Sequence, residues 1–296
     1  IRDVTIQWLR ERAERRNDER PFCLVAGFLA PHCPFVCPDE YFYKHYASMD
    51  VPHIPEGFLT SGLHPVHRQM RHNSGIADLT ETEIRRTRAA YYGPVEWFDA
   101  LTGNVLDALE ETGLADNTVV IYTSDHGDQL GDHGMWWNIT LYESSAGVPL
   151  ILRWSGTVTA ARVHENMSLM DVGPTLIDIA NAPPLPNASG RSFLPLLHGN
   201  NESWSNEVIS EFAAAGPPRR MVRQGPWKLN VFDGYDPELF NLETDPDEMT
   251  NLADEPSCRD RVRALSERAL KDWNPADIRQ RRERHSKNRQ LLRHWV

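Results

Sequence analysis

The residues best suited to chemistry follow a short apolar run near the middle of the chain. Residues 119–122 read Val-Val-Ile-Tyr, which predicts a buried β-strand. Polar side chains directly after such a strand indicate a ligand site, because open α/β sheets bind ligands at the carboxyl ends of their strands. The carboxylate of Asp125 and the imidazole of His126 are both good metal ligands. These two residues are therefore the predicted metal ligands.

The same segment also has a purely structural interpretation. A loop closed by an Asx turn would use Asp125 for a local hydrogen bond and bind nothing. Gly127 favours a site, because a residue without a side chain lets the backbone turn sharply and approach a ligand. The order of strand, Asp-His-Gly and a second glycine-rich stretch also favours a site.

A second apolar run of strand length occupies residues 22–29, Phe-Cys-Leu-Val-Ala-Gly-Phe-Leu. It predicts another strand buried on both faces. The loop that follows holds His32 between two prolines, which stiffen the backbone. His32 is thus either a second site residue or a surface histidine in a turn.

A long helix is predicted between the two strands. Thr80 and Glu83 have the spacing of a capping box, and apolar residues then recur every three or four positions up to Gly113. Pro94 is expected to kink or interrupt this helix. Residues 38–75 lack a regular period and predict a long loop.

The order strand, helix, strand implies parallel pairing of the two strands. Further predicted elements are strands at 148–154, 207–212, 220–223 and 227–232, and helices at 170–180 and 257–272. The predicted fold class is therefore α/β, with a mixed, mainly parallel sheet flanked by helices and a small C-terminal α+β subdomain. The predicted boundaries are a main α/β domain at 1–182, the subdomain at 183–276, and a basic tail at 277–296.

Composition excludes some partners. The formal net charge of −11 argues against a general nucleic-acid binder, since phosphate affinity depends on Lys and Arg. No apolar run approaches the roughly 20 residues needed to span a bilayer, so no membrane partner is expected. The four cysteines do not form a disulfide framework at this length, and reduced thiols fit a cytoplasmic compartment. The start lacks Met and a signal-peptide pattern, so the sequence is interpreted as a fragment.

The tail, residues 277–296, is strongly basic. One interpretation is a solvated helix. The other is an arm that docks on an acidic neighbouring subunit, which would make the protein a homo-oligomer.

Residues 124–134, Ser-Asp-His-Gly-Asp-Gln-Leu-Gly-Asp-His-Gly, resemble the metal-binding segment of the sulfatases, which belong to the alkaline phosphatase superfamily. A Trp pair, Tyr142-Glu143 and Val148-Pro149 extend the resemblance, and the Asp-His-Gly form is typical of the choline-sulfatase and phosphonate monoester hydrolase branches. The Pro-His-Cys-Pro-Phe loop around His32 resembles the segment that carries an active-site histidine in this family.

This resemblance implies roles for several residues. Asp125 and His126 would hold a divalent cation, with Ca²⁺ expected and Mg²⁺ or Mn²⁺ as alternatives. His32 would contact the ester oxygens, act as the acid for the leaving group and face the metal ligands. His133 is a further candidate donor at the catalytic site.

Two family features are missing from the sequence. Sulfatases use a formylglycine nucleophile made in a Cys/Ser-x-Pro-x-Arg motif, and no such motif occurs in the 296 residues. The family's paired Asp ligands are also absent, and both features normally lie upstream of the stretch that this chain resembles. The chain alone is therefore predicted to be inactive.

The substrate side of the site also departs from the family. Asn138 stands where the family carries a sulfate-contacting Lys, so a charge-assisted contact is lost unless Arg153 or Lys44 compensates. Trp137, with Trp136, is a candidate to bracket a quaternary ammonium through cation–π contact, although core packing is the alternative.

These features favour a metal-dependent sulfatase acting on a small sulfate ester. The first alternative is a phosphonate monoester or phosphodiester hydrolase on the same scaffold. The second is a degenerate, non-catalytic homologue that only binds, which Asn138 and the missing nucleophile motivate.

Overall fold

The computed structural model describes residues 1–15 and 20–293, and the side chains up to residue 290. The last three residues of the predicted basic tail therefore lie outside the described residues. The helices are α1 (Arg2–Glu14), α2 (Asp39–Tyr46), α3 (Pro65–Asn73), α4 (Glu81–Glu111), α5 (Glu143–Ala146), α6 (Val172–Ile179), α7 (Leu194–Leu197), α8 (Arg259–Leu270) and α9 (Pro275–Arg293). The strands are β1 (Val120–Thr123), β2 (Leu150–Arg153), β3 (Glu207–Phe212), β4 (Arg219–Gln224), β5 (Trp227–Phe232) and β6 (Tyr235–Asn241).

The chain forms two compact units, each discontinuous in sequence. Unit 1 contains residues 1–53, 78–123 and 149–160, and unit 2 contains residues 54–77, 124–148 and 161–296. This division differs from the predicted boundaries after residues 182 and 276, which stay predictions. Within the described residues, no helix combines the length and the apolar character required to cross a membrane.

Helix α4 organises unit 1. Its start is the predicted capping box, in which Thr80 Oγ1 accepts from the Glu83 N–H at 3.3 Å and Glu83 Oε2 accepts from the Thr80 N–H at 2.8 Å. The helix ends before Gly113, which adopts φ 71°. Pro94 does not interrupt α4, which runs continuously through this buried proline, and the alternative that Pro94 kinks the helix stays a prediction. Packing that buries this part of the helix offsets the loss of one backbone hydrogen bond.

Close packing explains the glycine before Pro94. A Cβ on Gly93 would lie 2.7 Å from Cys37 Sγ and 3.2 Å from the backbone nitrogen of Phe42, which belongs to α2. The prediction of a long loop over residues 38–75 is also wrong, because α2 and α3 both form inside it. Their short lengths, eight and nine residues, explain why the sequence shows no sustained period.

The predicted strand at residues 22–29 is not a strand in unit 1. Val25 is 85% exposed and Leu29 is 76% exposed, so the segment is not buried on both faces. Strand β1 pairs with β2 in antiparallel register, with Ile121 opposite Leu152. No parallel pair occurs between strands of the described residues. A strand needs a neighbour to complete its hydrogen bonds, and residues 22–29 pair with no strand of the described residues.

Unit 2 is built on a four-stranded antiparallel sheet in the order β3-β4-β5-β6. The three predicted strands are confirmed, and Gly225, at φ 55°, makes the predicted turn between β4 and β5. Helix α8 covers one face through a cluster that includes Val222, Leu229 and Leu265. Because side chains alternate along β5, Lys228 and Asn230 point to the opposite face, where both are fully buried.

Helix α9 contains most of the basic tail and contacts its own unit. Arg282 donates to the carbonyl oxygens of Ala213 at 2.9 Å and Gly216 at 2.7 Å, and Arg279 pairs with Asp233. The described part of the tail is thus helical and partly docked. Its predicted role in a homo-oligomer stays a prediction.

Candidate metal site

Residues 124–148 of unit 2, termed the DHG segment here, carry the predicted metal ligands. Gly127, which follows Asp125 and His126, lies where no side chain fits, since a Cβ would meet the Ser144 carbonyl oxygen at 2.2 Å. The Gly127 N–H donates to the Ser145 carbonyl at 2.8 Å. This close approach joins the start of the segment to its end. The glycine therefore has a steric reason for its position beside Asp125 and His126.

Asp125 and His126 are oriented as a pair. The Nδ1 atom of His126 lies 2.9 Å from the Gly127 carbonyl oxygen. A carbonyl only accepts, so Nδ1 carries the proton and Nε2 carries the lone pair. Nε2 lies 3.7 Å from Asp125 Oδ2, on a side chain that is 87% exposed. A backbone carbonyl that fixes the tautomer of a ligating histidine is the usual arrangement in metal sites.

The donor set fits part of a site for a divalent cation. A carboxylate oxygen and an imidazole nitrogen this close can share one ion, and the carboxylate suits Ca²⁺ or Mg²⁺. Across the part of the chain that the structure describes, however, no group of three or more His, Cys, Asp or Glu side chains could hold a metal ion. Asp125 and His126 would therefore supply two ligands of a larger set.

Asp128 shapes the next turn, a role that sequence reasoning missed. Its Oδ1 accepts from the N–H groups of Leu130 at 3.0 Å and Trp137 at 3.1 Å. Both of these residues have positive φ, 48° and 65°, a conformation that costs non-glycine residues energy. The carboxylate holds them there and so fixes where Trp137 lies.

The two tryptophans differ in exposure. Trp137 is 37% exposed and can offer a ring face to a ligand, whereas Trp136 is only 5% exposed. The pair therefore cannot bracket a cation between two open rings, and Trp136 belongs to the core as the alternative interpretation held. Trp137 alone stays a predicted substrate residue.

The two cations expected to compensate for Asn138 belong to unit 1 and form exposed ion pairs there, and their compensating role stays a prediction. In unit 1, Arg153 Nη1 lies 2.8 Å from Glu110 Oε1, and Lys44 pairs with Glu96. Both charges are already matched by carboxylates. Asn138 itself is partly buried in unit 2, and its predicted contact with substrate stays a prediction.

His133 is enclosed by the protein. It is 3% exposed and stacks on Tyr142 with ring centroids 3.9 Å apart and an interplanar angle of 8°. Burial lowers its pKa to about 4, although the Glu248 carbonyl, 3.2 Å from Nε2, opposes this. A neutral, buried ring offers no positive charge to a sulfate. Its predicted catalytic role is untested, and its surroundings favour a structural one.

His32 belongs to unit 1 and is exposed. Its Nδ1 lies 2.7 Å from the Cys33 carbonyl oxygen, so Nδ1 carries the proton and Nε2 the lone pair, as in His126. Its predicted position facing Asp125 and His126 stays a prediction.

A buried ion cluster supports the end of the DHG segment. Lys228 Nζ lies 2.9 Å from Glu143 Oε1 and 2.8 Å from Glu248 Oε1, and Arg223 Nη1 lies 2.7 Å from Glu143 Oε2. Burial raises the pKa of Glu248 despite Lys228. For Glu143 burial acts the same way, but Lys228 and Arg223 outweigh it and hold the pKa below its ordinary value. The cluster ties α5 to β4 and β5.

A buried hydrogen-bond chain runs beside this cluster. The Tyr142 hydroxyl donates to Glu238 Oε1 at 2.8 Å and lies 3.2 Å from His67 Nδ1. Burial raises the pKa of Glu238 to about 7 and lowers that of His67 well below its ordinary value. Sequence reasoning missed this chain, because its members come from distant parts of unit 2 and form no local motif.

A cavity of about 540 Å³ lies in unit 2, apart from the DHG segment. Its lining includes His64, Arg68, Tyr235, Asp236 and Glu238. None of the predicted site residues lines it. Glu238 both accepts from Tyr142 in the buried hydrogen-bond chain and lines this cavity.

Comparison with known proteins defines the class to which this chain and its fold belong. The sulfatase family model matches residues 1–182, and the model of the C-terminal region of N-sulphoglucosamine sulphohydrolase matches residues 131–274. The chain belongs to the sulfatase family, and its α/β fold is of the alkaline phosphatase-like type.

Among individual relatives, the choline-sulfatase of Rhizobium meliloti (strain 1021) is 35% identical over 260 residues, covering 82% of this chain and 49% of that protein. Arylsulfatase K of Canis lupus familiaris is 34% identical over 279 residues, covering 85% and 51%. The phosphonate monoester hydrolase of Agrobacterium radiobacter superimposes with a TM-score of 0.74 at 25% identity, covering 95% of this chain and 60% of that one. The chain thus spans about half the length of the curated relatives it matches.

Proposed function

We propose that this chain supplies part of the active site of a sulfuric ester hydrolase, in which Asp125 and His126 hold a divalent cation. The observation that carries the proposal is the pairing of Asp125 Oδ2 with His126 Nε2 at 3.7 Å, with the imidazole tautomer fixed by the Gly127 carbonyl. Ca²⁺ is the expected ion, with Mg²⁺ or Mn²⁺ as alternatives. The bound cation would gather and polarise the oxygens of the ester.

The residues of this chain then have separate tasks. Asp125 contributes negative charge, and His126 contributes a neutral nitrogen whose orientation is already set. His32, whose Nδ1–H is held by the Cys33 carbonyl, would first take up a second proton at Nε2 and, as the imidazolium, give that proton to the departing oxygen. Trp137 and Asn138 would contact the substrate.

The nucleophile has to come from outside these 296 residues. Sulfatases generally use formylglycine, and the sequence contains no Cys/Ser-x-Pro-x-Arg motif. The purified chain should therefore show no hydrolysis, whereas a protein that joins it to a formylglycine-bearing segment should turn over an aryl sulfate. Measurable turnover by the chain alone would contradict this assignment of the nucleophile.

The leading alternative is a phosphonate monoester or phosphodiester hydrolase, which the likeness to the Agrobacterium radiobacter structure supports. Aryl sulfate and aryl phosphonate, offered side by side to the same joined protein, separate the two. A preference for the sulfate supports the proposal, and a preference for the phosphonate supports the alternative.

A non-catalytic binding homologue is the remaining candidate. It is favoured by Asn138 and by the engagement of Arg153 and Lys44 with carboxylates in unit 1. Replacing Asn138 by Lys in the joined protein should raise sulfate turnover if the protein is a working sulfatase with a weakened contact. Binding of the ester without turnover in both forms would establish the homologue. The expected cytoplasmic location is a further proposal, to be checked by fractionation of the source cells.

A further inference from the structure

The cavity of about 540 Å³ in unit 2 has walls that are held in place by the protein itself. His64 Nδ1 accepts from the Val66 N–H at 3.3 Å, so Nε2 carries the proton and donates to the Asp236 carbonyl at 3.0 Å. The His64 ring stacks on Phe232 with centroids 3.8 Å apart, and Tyr235 meets it edge-on at 5.8 Å. These contacts join the start of α3 to the turn between β5 and β6. The volume lies within the range of roughly 300–1,000 Å³ that is usual for small-molecule sites.

The cavity is lined by a buried carboxyl group that has no cation of its own. Glu238 is 2% exposed, and its Oε1 accepts from the Tyr142 hydroxyl at 2.8 Å. Its other oxygen, Oε2, has only a long contact of 3.4 Å with the Asn230 amide. No basic side chain of the described residues forms an ion pair with Glu238, since the nearby Lys228 is paired with two other carboxylates. Burial without a cation raises the pKa of Glu238 to about 7, and a cationic ligand would supply the missing charge.

The other charges of the lining also favour a cation. Asp236 and Asp254 are exposed, and neither carboxylate forms a hydrogen bond or an ion pair with another described residue. Arg68 also belongs to the lining, but its Nη1 donates to two backbone carbonyls at 2.8 Å and 3.0 Å and so braces the loop before α3. Burial lowers the pKa of His64, which is therefore neutral at pH 7 and above. The lining thus contains three carboxyl groups and one guanidinium.

The spacing of these carboxyl groups determines which kind of cation fits. Among the residues that the structure describes, no three acidic, histidine or cysteine side chains are placed to hold one metal ion. Glu238, Asp236 and Asp254 therefore do not converge on a single point. A ligand that reaches both the buried carboxyl and the exposed ones needs two separated cationic groups. Ammonium groups suit this arrangement, because each is a compact charge with three donors, and methylenes between them would pack on the Tyr235 ring, which is 44% exposed.

We propose that this cavity is a binding site for a short linear diamine or polyamine, with one ammonium group at Glu238 Oε2 and a second at the carboxylates of Asp236 and Asp254. The buried pair would carry most of the affinity, because water screens exposed ion pairs and leaves them weak. The exposed pairs would make a diamine bind better than a monoamine. None of the residues assigned to ester hydrolysis lines the cavity, so the inference does not depend on the proposed function.

The test is calorimetric titration of the purified chain with 1,4-diaminobutane at about pH 8 and roughly physiological salt, which screens adventitious surface binding. At this pH Glu238 is mainly ionised, whereas primary amines remain protonated. We expect one site, with the diamine bound at least about threefold more tightly than n-butylamine. The neutral 1,4-butanediol should not bind. Absence of diamine binding, or equal affinity for n-butylamine, would overturn the proposal. The readout requires no turnover, so its failure is distinguishable from failure of the proposed hydrolysis.

Three variants make the result specific to the cavity. Glu238→Gln keeps the side-chain shape but cannot ionise, and it should weaken diamine binding by about tenfold or more. Asp254→Asn, an exposed change, should weaken it by about threefold. Glu267→Gln removes an exposed carboxylate of unit 2 outside the cavity and should leave the affinity unchanged.

Two outcomes for these variants would overturn the proposal. One is equal affinity of the wild type and Glu238→Gln for the diamine. The other is a loss in Glu267→Gln as large as that in Asp254→Asn, because the diamine would then be held by general attraction to an acidic chain, whose formal net charge is −11.

Discussion

Lys228 Nζ lies 2.9 Å from Glu143 Oε1, although the lysine side chain is completely buried in unit 2. Glu143 begins α5, near the end of the DHG segment, and Lys228 lies on β5. A buried charge is tolerated only when it is paired and hydrogen-bonded, and Glu248 completes the pairing at 2.8 Å. This ion cluster therefore holds the end of the segment against the sheet.

Replacing Lys228 by Met should destabilise the protein by about 3–5 kcal/mol, because the Glu248 carboxylate would remain buried without its cation, while Glu143 would keep Arg223. The measurement is urea unfolding at neutral pH. Arg263→Ala, which breaks an exposed pair with Asp260, is the control and should cost less than about 1 kcal/mol. A loss for Lys228→Met no larger than that of the control would show that the cluster does not support the fold.

Gly127→Ala should disrupt the DHG segment, since the new methyl group would need to displace the Ser144 carbonyl from 2.2 Å. A cost of about 1–3 kcal/mol is expected from such overpacking, together with weaker cation binding. Gly103→Ala is the matched control, because its Cβ would meet nothing within 4 Å and it lies inside α4. That control should stabilise the helix by about 0.5–1 kcal/mol. Equal changes in the free energy of unfolding for the two variants would contradict the steric argument.

Glu238 should make stability fall as pH rises. Its folded pKa, about 7, lies above its ordinary value of 4.5, so the protonated form is favoured in the fold. Its contribution is fully present below pH 4.5 and is lost as pH rises through about 7, amounting to about 3 kcal/mol. Glu238→Gln removes the titration and keeps the side-chain shape. The wild type should therefore lose stability relative to Glu238→Gln over this window, and parallel pH curves for the two proteins would refute the shift.

His133 should have the opposite effect on the pH dependence of stability, so that stability falls as pH falls. Its folded pKa, about 4, lies below its ordinary value of 6.5, so the neutral ring is favoured in the fold. Its contribution, also about 3 kcal/mol, is present above pH 6.5 and is lost as pH falls through about 4. Relative to His133→Asn, the wild type should lose stability on acidification. A pH-independent difference between these two proteins would show that His133 titrates normally.

Local features were predictable from the sequence. The capping box of Thr80 and Glu83 and the turn at Gly225 depend only on neighbouring residues, and both formed as predicted. The Asp-His-Gly order likewise identified a loop whose glycine has a steric reason for its place.

Features that depend on distant partners were not predictable. Lys228 lies in a strand, and its neighbours in sequence do not indicate that its charge is paired with Glu143, 85 residues away. The buried strand predicted from the apolar pattern of residues 22–29 did not form, because the described residues offer this segment no strand to pair with. The interruption expected at Pro94 did not occur, because the sequence shows the lost hydrogen bond and not the packing that buries this part of α4.

Cation binding by the purified chain tests most directly whether Asp125 and His126 form part of a metal site. Calorimetric titration with Ca²⁺ should show one weak site, with a Kd on the order of 10⁻⁴ M or weaker, since only two protein ligands are at hand. Asp125→Asn and His126→Ala should each abolish that binding, whereas His164→Ala, which removes another imidazole of unit 2, should leave it unchanged. Binding that survives both substitutions, or no binding by the wild type at millimolar Ca²⁺, would contradict the assignment of the metal ligands.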